Sequence, residues 1–252
     1  MSHISFSEIK NWSKCPFYHK LSYIDKIKLF QGNLHTAFGT AIHAACEKVS
    51  EKEVGELIEI FRTQFEEEVQ KLEECEEILH DEMKEQGPKI LRHLKGAMNE
   101  YFGEFEVLSV EEPLYENIWN SKDLLNFKGF IDMVIASNEK IHIIDWKTST
   151  KGWSPRQRNN EVTQYQLLYY KYYYAQKYGI NPDDVKVHFG LLKRKYGGKS
   201  RVELFEIDSD RKKITESLNY MEKFLYNVKR EKFIKNRLAC TYCEFKGTEH
   251  CP

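Results

Sequence analysis

The sequence predicts an α/β fold in which a central mixed β-sheet is flanked by helices, and three patterns carry that expectation. Strand-forming runs cluster at 106–116, 125–137 and 140–149 and recur at 185–195 and 201–207. Helical periodicity dominates before residue 105, over 161–178 and again over about 209–232. No repeat, low-complexity linker or composition break divides the 252 residues, so one main core is expected.

Ser5 or Ser7 can cap a short helix that stops at Cys15-Pro16. A looser segment leads to Leu34, after which FGTAIHAACEKV (38–49) opens a helical region reaching about Leu79. A second helix over about 88–105 carries Leu91, Leu94, Met98 and Phe102 at helical spacing. Ser137-Asn138-Glu139-Lys140 supplies a hairpin turn between two strands. EVTQYQLLYYKYYYAQKY (161–178) is long enough for a helix, and Gly179 closes it. Most of its tyrosines read as a packing face. A Gly197-Gly198 turn joins the last two strands, and a final helix precedes a cysteine-rich tail.

With 41% apolar residues, the chain can bury a sizeable core. No apolar run approaches the ~20 residues that cross a bilayer. The opening MSHISFSEIKNWSKC lacks the charged-then-apolar plan of a signal peptide. The expectation is a soluble protein of a reducing compartment with no membrane partner. Net charge is −1, but residues 1–150 hold 17 Lys and Arg against 27 Asp and Glu, and residues 151–252 hold 21 against 12. The acids gather at 51–77, as on an exposed helix face. The bases gather around Arg156, Arg158, Lys193, Arg194, Lys195, Lys199 and Arg201, where a polyanion could bind.

The chemistry-bearing stretch is KIHIIDWKTST (140–150). On a strand, residues i and i+2 share a face, so Asp145 and Lys147 project together while Trp146 points away and leaves its carbonyl free. GFIDMVI would be the neighbouring strand, and a hairpin brings Asp132 to the same edge. Two carboxylates and a carbonyl suit Mg²⁺ or Mn²⁺, and a lysine beside such a metal can position water. The two strands alone fit a cross-strand ion pair equally well. His43 and Glu47 add an i, i+4 pair on one helix, His43 being a residue type that ligates Mn²⁺. Gln166 and Tyr170 form another such pair, able to hold a phosphate or a water; Gln164 competes with Gln166 for that place.

The ordered set Gly39-x3-His43-x3-Glu47, Gly129-Phe-Ile-Asp132, Ile144-Asp145-Trp-Lys147 and Gln166-x3-Tyr170 resembles the PD-(D/E)XK nuclease superfamily, most closely its RecB-type and CRISPR-associated iron–sulfur members. The resemblance covers nearly the whole chain. It implies a restriction-endonuclease-like core within a single 1–252 domain, with 50–105 as a helical insertion. Asp132, Asp145 and His43 become metal ligands with the Trp146 carbonyl, Lys147 the catalytic lysine, and Gln166 and Tyr170 neighbours of the scissile phosphate. Glu47 is an accessory position. Ile131 stands where the family name has proline. The implied activity is a metal-dependent DNA exonuclease on single strands or duplex ends, with 5′→3′ polarity favoured, in recombination, repair or phage DNA processing. Trimming beside CRISPR-adaptation proteins and non-catalytic DNA binding are the alternatives. The implied setting is the cytoplasm of a bacterial, archaeal or phage-infected cell.

Four of the six cysteines bracket the chain: Cys15 near one end and Cys240-x2-Cys243-x7-Cys251 at the other. Four thiolates can hold a 4Fe-4S cluster or zinc, and spacing leaves both open. The opening SEIKNWSKCPFYHKLSYI resembles that of the iron–sulfur nucleases, which implies 4Fe-4S and a clip between the termini. Cys251 is the least regular ligand, because its seven-residue gap is long for such relatives. Packing or surface roles suffice for Cys46 and Cys75.

Overall fold

Strand β3 (Asn126–Ser137) organises the sheet in the computed structural model, which describes residues 3–118, 125–195 and 200–252. β2 (Glu106–Asn117) pairs antiparallel along one whole edge of β3, from Glu106↔Ala136 to Asn117↔Asn126. The other edge is shared. β1 (His3–Ser5) runs parallel to residues 126–128, and β4 (Lys140–Ser149) pairs antiparallel only from Met133↔Ile144 onward. Residues 129–132 therefore lie on an edge with no ladder partner between β1 and β4. β5 (Val185–Lys193) continues parallel to β4, and β6 (Val202–Glu206) closes the sheet antiparallel. The mixed sheet flanked by helices is the architecture that the sequence predicts.

Local chemistry explains most of the elements. Asn138 and Glu139 take φ values of +48° and +58°, the two positive values that a two-residue hairpin of the twisted sheet requires. β5 is buried along nearly its whole length, as befits a strand covered on both faces. Ser5 caps α1 (Phe6–Lys14) by accepting from Glu8 N–H, and Pro16 opens α2 (Pro16–His19), followed by a wide turn over Lys20–Ile24.

The region expected to be helical from Phe38 to Leu79 is interrupted. α3 (Leu34–Cys46) is capped by Asn33, α4 (Val54–Val69) follows a turn, and a second break precedes α5 (Glu77–Phe102). α5 begins at Glu77, about three turns earlier than the sequence suggests, taking Pro88 into its interior. The missing N–H of Pro88 is tolerated where Gly87 lies so close to Phe61 that a Cβ would meet its ring at 2.2 Å. Further along the chain lie the short α6 (Pro155–Arg158) and the longer α7 (Glu161–Tyr178) and α8 (Arg211–Lys229). Gly179 ends α7 in the left-handed conformation at φ +65°. The Gly197-Gly198 turn lies outside the described residues.

Each face of the sheet carries its own core. α1, α7 and α8 cover one with Ile9, Trp12, Tyr169, Tyr173 and Phe224; α3, α4 and α5 cover the other with Phe38, Phe61, Phe65 and Leu94. Stretch 50–105 thus supplies much of the second core. Among the described residues no helix is long and apolar enough to cross a membrane.

Candidate active site

The site lies where β3 and β4 part. Their last paired residues are Met133 and Ile144, so Asp132 and Asp145 occupy the next positions, at the mouth of the fork. Alternation along β4 buries Ile143 in one core and Ile144 and Trp146 in the other, while the Lys147 ammonium lies 2.6 Å from Asp145 Oδ2. Asp145 is 1% exposed, and neither carboxylate oxygen receives a directed hydrogen bond. The lysine contact is thus an ion pair without aligned donors. A buried carboxylate so poorly satisfied is costly unless a cation completes its surroundings.

Asp132 takes a different partner. Its Oδ2 accepts a 2.6 Å hydrogen bond from Trp146 N–H and lies 3.6 Å from His43 Nδ1. Burial and the nearby charge of Asp145 push the Asp132 pKa well above the carboxylate range. Burial also lowers the pKa of His43, against the opposing effects of Asp145 and of the Trp146 carbonyl with which it hydrogen-bonds. That keeps the imidazole neutral, the form that ligates metals. The Trp146 side chain is core: Gly190 on β5 leaves room for an indole that would otherwise stand 2.1 Å from a Cβ.

His43, Asp132, Asp145, Lys147 and the Trp146 backbone therefore converge from α3, β3 and β4. Gln166 and Tyr170 reach the same region from α7, Gln166 Nε2 donating to the Tyr170 hydroxyl at 3.0 Å. Burial raises the Tyr170 pKa, and both Asp145 and Asp132 add to the effect. Gln164 instead donates to the Arg158 carbonyl at 2.7 Å. Glu47 is the residue that ends α3; burial and the nearby charge of Glu111 raise its pKa.

Two neighbours escape sequence reasoning. Glu111 lies across from Asp132 in the β2–β3 register, between Val110↔Met133 and Glu112↔Ile131, with φ +47°. Lys10, one turn before Lys14 on α1, stands near Lys147 and Asp145; burial and the like charge of Lys147 lower its pKa, although the residue as a whole is exposed. Only the β2–β3 register and the placement of α1 reveal them.

The basic cluster expected to track a polyanion is largely engaged. Arg158 and Lys193 both contact Glu203, Lys195 lies 3.4 Å from Glu82, and Arg194 donates to Thr150 Oγ1 at 3.0 Å. Arg201 donates to the Arg194 carbonyl. Lys199 lies outside the described residues.

The cysteines converge at the opposite end of α1. Cys15, Cys240, Cys243 and Cys251 line one cavity of about 410 Å³ with Lys14, Lys235, Arg237 and Lys246. Cys15 Sγ accepts from Asn236 N–H at 3.3 Å, and Asn236 Nδ2 donates to the Lys14 carbonyl at 2.9 Å. The long gap before Cys251 is taken up by a turn. Gly247, at φ +76°, donates to the Cys251 carbonyl, and Thr248 bridges to Cys251. Cys46 is buried in the second core and Cys75 is exposed. Among the described residues no three His, Cys, Asp or Glu side chains are drawn to metal-ligand distance. The cysteines border a space without closing on it, and so do the residues at the fork.

A sequence model of the PD-(D/E)XK nuclease superfamily matches residues 3–251. The chain belongs to the PD-(D/E)XK nuclease superfamily. Among solved structures it is similar to the "Putative exonuclease" of Eubacterium rectale, at 13% identity and a TM-score of 0.60, covering 96% of this chain and 86% of that one. A second structure, SSO0001, aligns at 18% identity over 86% of this chain and 96% of that one, with a TM-score of 0.36. No curated protein matches the sequence. Nucleases of this superfamily generally use divalent metals such as Mg²⁺ or Mn²⁺ and act on DNA.

Proposed function

We propose that the chain is a single PD-(D/E)XK domain acting as a metal-dependent exonuclease on DNA, removing nucleotides from single strands or duplex ends. The observation that carries this reading is the buried Asp145 carboxylate, which has no hydrogen-bonded oxygen and lies beside Lys147 and Asp132 at the strand fork. The oxygen donors gathered at the fork suit a hard cation in their chemistry. Asp132, Asp145, the neutral His43 imidazole and the Trp146 carbonyl would hold Mg²⁺ or Mn²⁺, which supplies Lewis acidity and a more acidic water. Lys147 places its ammonium where the attacking water and the phosphate oxygens meet. Gln166 and Tyr170 would orient the scissile phosphate by hydrogen bonding, and Lys10 would add positive charge near Lys147 and Asp145. Glu47 and Glu111 form an outer carboxylate pair beside Asp132. Attack of water at phosphorus with cleavage of the P–O3′ bond would release a 3′-hydroxyl and leave a 5′-phosphate on the other fragment, with 5′→3′ progress as the expected direction.

For the cysteines we propose a structural 4Fe-4S cluster. Its support is a single cavity lined by all four thiols and larger than one ion requires, with Asn236 tying the C-terminal tail to Lys14 and Cys15. Zinc is the alternative occupant. The deciding assay incubates the protein with 5′- or 3′-labelled single- and double-stranded DNA and Mg²⁺ or Mn²⁺, beside Asp145→Ala and Lys147→Ala. Mononucleotide release from one end by the wild type alone supports the reading. Equal cleavage by all three proteins removes the site assignment.

A further inference from the structure

The bare edge of β3 borders a second cavity, about 330 Å³, beside the proposed catalytic groups. It is bounded by Ser5 and Ser7 at the β1–α1 junction, Lys128 and Phe130 on β3, and Gln166 and Tyr170 on α7. We propose that this cavity is the subsite for one unpaired nucleotide of the DNA strand, with its base against Phe130 and its phosphate at Lys128. The inference rests on the nuclease reading above and deepens it, since it selects single-stranded over duplex DNA at the position next to the cut.

Four observations support it. First, the cavity is continuous with the site: Gln166 and Tyr170 form its wall, and Tyr170 is close enough to Asp145 and Asp132 to feel both charges. Secondly, Phe130 is 47% exposed, so an aromatic face is offered to solvent on the strand that carries Asp132 two residues later. Stacking on such a face is how proteins hold bases of any sequence. Thirdly, Lys128 has no carboxylate partner among the described residues and holds its ammonium 5.9 Å from the centre of the Phe130 ring. An aromatic ring and a free cation at i, i+2 on one strand are matched to a base and its phosphate. Fourthly, α7 approaches the bare edge closely, because a Cβ on Gly129 would lie 2.9 Å from the Tyr170 ring.

Size and shape set the substrate class. The volume lies at the lower end of small-ligand sites, about 300–1,000 Å³, a size that suits one nucleotide better than a base pair. A duplex end would have to fray by at least its last pair before entering. The acidic fork next to the cavity, with Asp132, Asp145 and Glu111, offers a phosphate little anchoring charge of its own. Lys128 therefore supplies anchoring charge on the side of the cavity away from the acids.

Binding of a fluorescent single-stranded oligonucleotide, measured by anisotropy in EDTA so that no cleavage intrudes, tests this. Phe130→Ala weakens binding about 5- to 100-fold, the loss of one base–aromatic stack, and Phe130→Trp restores it. Lys128→Gln lowers the salt dependence by about one phosphate contact. An abasic residue moved along the strand costs the wild type as much as Phe130→Ala at one register, and there Phe130→Ala loses nothing more. Phe130→Ala and Lys128→Gln binding like the wild type, or abasic and Phe130→Ala losses that simply add at every register, would overturn the subsite. Because the readout is binding, its failure is separable from failure of the nuclease reading. Loss of the stack in a protein that never cleaves refutes only the latter, and cleavage by a protein indifferent to these changes refutes only the subsite.

Discussion

Replacing Gly190 with alanine links core packing to the chemistry at the fork. The new methyl would stand 2.1 and 2.2 Å from two carbons of the Trp146 indole, against an ordinary carbon–carbon contact of about 3.5–4.0 Å. Ring or strand must retreat by more than about 1 Å to relieve that overlap. Trp146 is 1% exposed within a filled core, so much of the movement falls on β4, which carries Asp145 and Lys147 on either side of it. Overpacking of this kind costs about 1–3 kcal/mol, and a domain of this size loses roughly 2–4 °C of Tm per kcal/mol. The expected Tm decrease is therefore about 2–12 °C. A displacement near 1 Å at the reacting groups costs on the order of a hundredfold in rate. Differential scanning fluorimetry and initial rates of nucleotide release measure the two effects on one preparation. Gly190→Ala combined with Trp146→Phe, which removes the clashing benzo carbons, recovers most of the lost Tm. An alanine variant with wild-type Tm and rate would refute the proposed coupling between this contact and the fork.

Other predictions concern acid stability and the termini. His188 is 1% exposed, and burial with the nearby His142 and Lys186 pushes its pKa down to about 3. The ring lies 3.4 Å from the Tyr101 hydroxyl through Nδ1 and 2.9 Å from His142 Nδ1 through Nε2, and His142 Nε2 faces the Ser137 carbonyl at 3.2 Å. The carbonyl fixes the tautomers: His142 Nε2–H donates to it, His188 Nε2–H donates to His142, and Tyr101 O–H donates to His188. The unfolded chain binds a proton at about pH 6.5 that the native ring refuses until about pH 3. Stability from this group is thus complete above pH 6.5 and falls as pH drops through that window, by up to about 1.4 kcal/mol per pH unit. Urea melts between pH 7.5 and 4.5 should show a shallower decline for His188→Leu, even though that variant starts less stable; equal slopes would contradict the buried neutral pair. Anaerobically purified protein should carry iron and visible absorbance that Cys15→Ser and Cys251→Ser abolish, with a lower Tm in both. Colourless protein with stoichiometric zinc supports the alternative occupant, and a metal-free wild type of unchanged Tm refutes a metal clip.

What the sequence made legible was chiefly local. Alternation located β2 to β4, Asn138-Glu139 marked the hairpin, and Gly179 marked the end of α7, because each depends on residues a few positions apart. The convergence of Asp132, Asp145 and Lys147 followed from strand period and a short hairpin. Long-range register was hidden. β1 is only three residues long and exists because β3 offers an edge to it. The fork between β1 and β4 and the approach of Lys10 depend on that edge, and the cross-strand place of Glu111 depends on the β2 pairing along the opposite one. Helical spacing of Leu91, Leu94, Met98 and Phe102 placed this helix over about 88–105, whereas burial of Met83 and the close approach of Gly87 to Phe61 carry α5 through Pro88 from Glu77. Clustered bases in 156–201 suggested a polyanion track, but charge counts cannot reveal that Glu203 and Glu82 take up three of them. Cys251 was the irregular ligand by spacing, and a turn that sequence spacing does not encode returns it to the cysteine cavity.

The central claim is that Asp145 and Lys147 act in bond cleavage at the fork. The most direct measurement is single-turnover release of nucleotides from end-labelled single-stranded DNA in Mn²⁺, with wild type, Asp145→Asn and Lys147→Ala compared at DNA saturation, where binding differences cancel. The account predicts rate losses of at least about a hundredfold in both variants, with folding retained. Wild-type rates in either folded variant would contradict it.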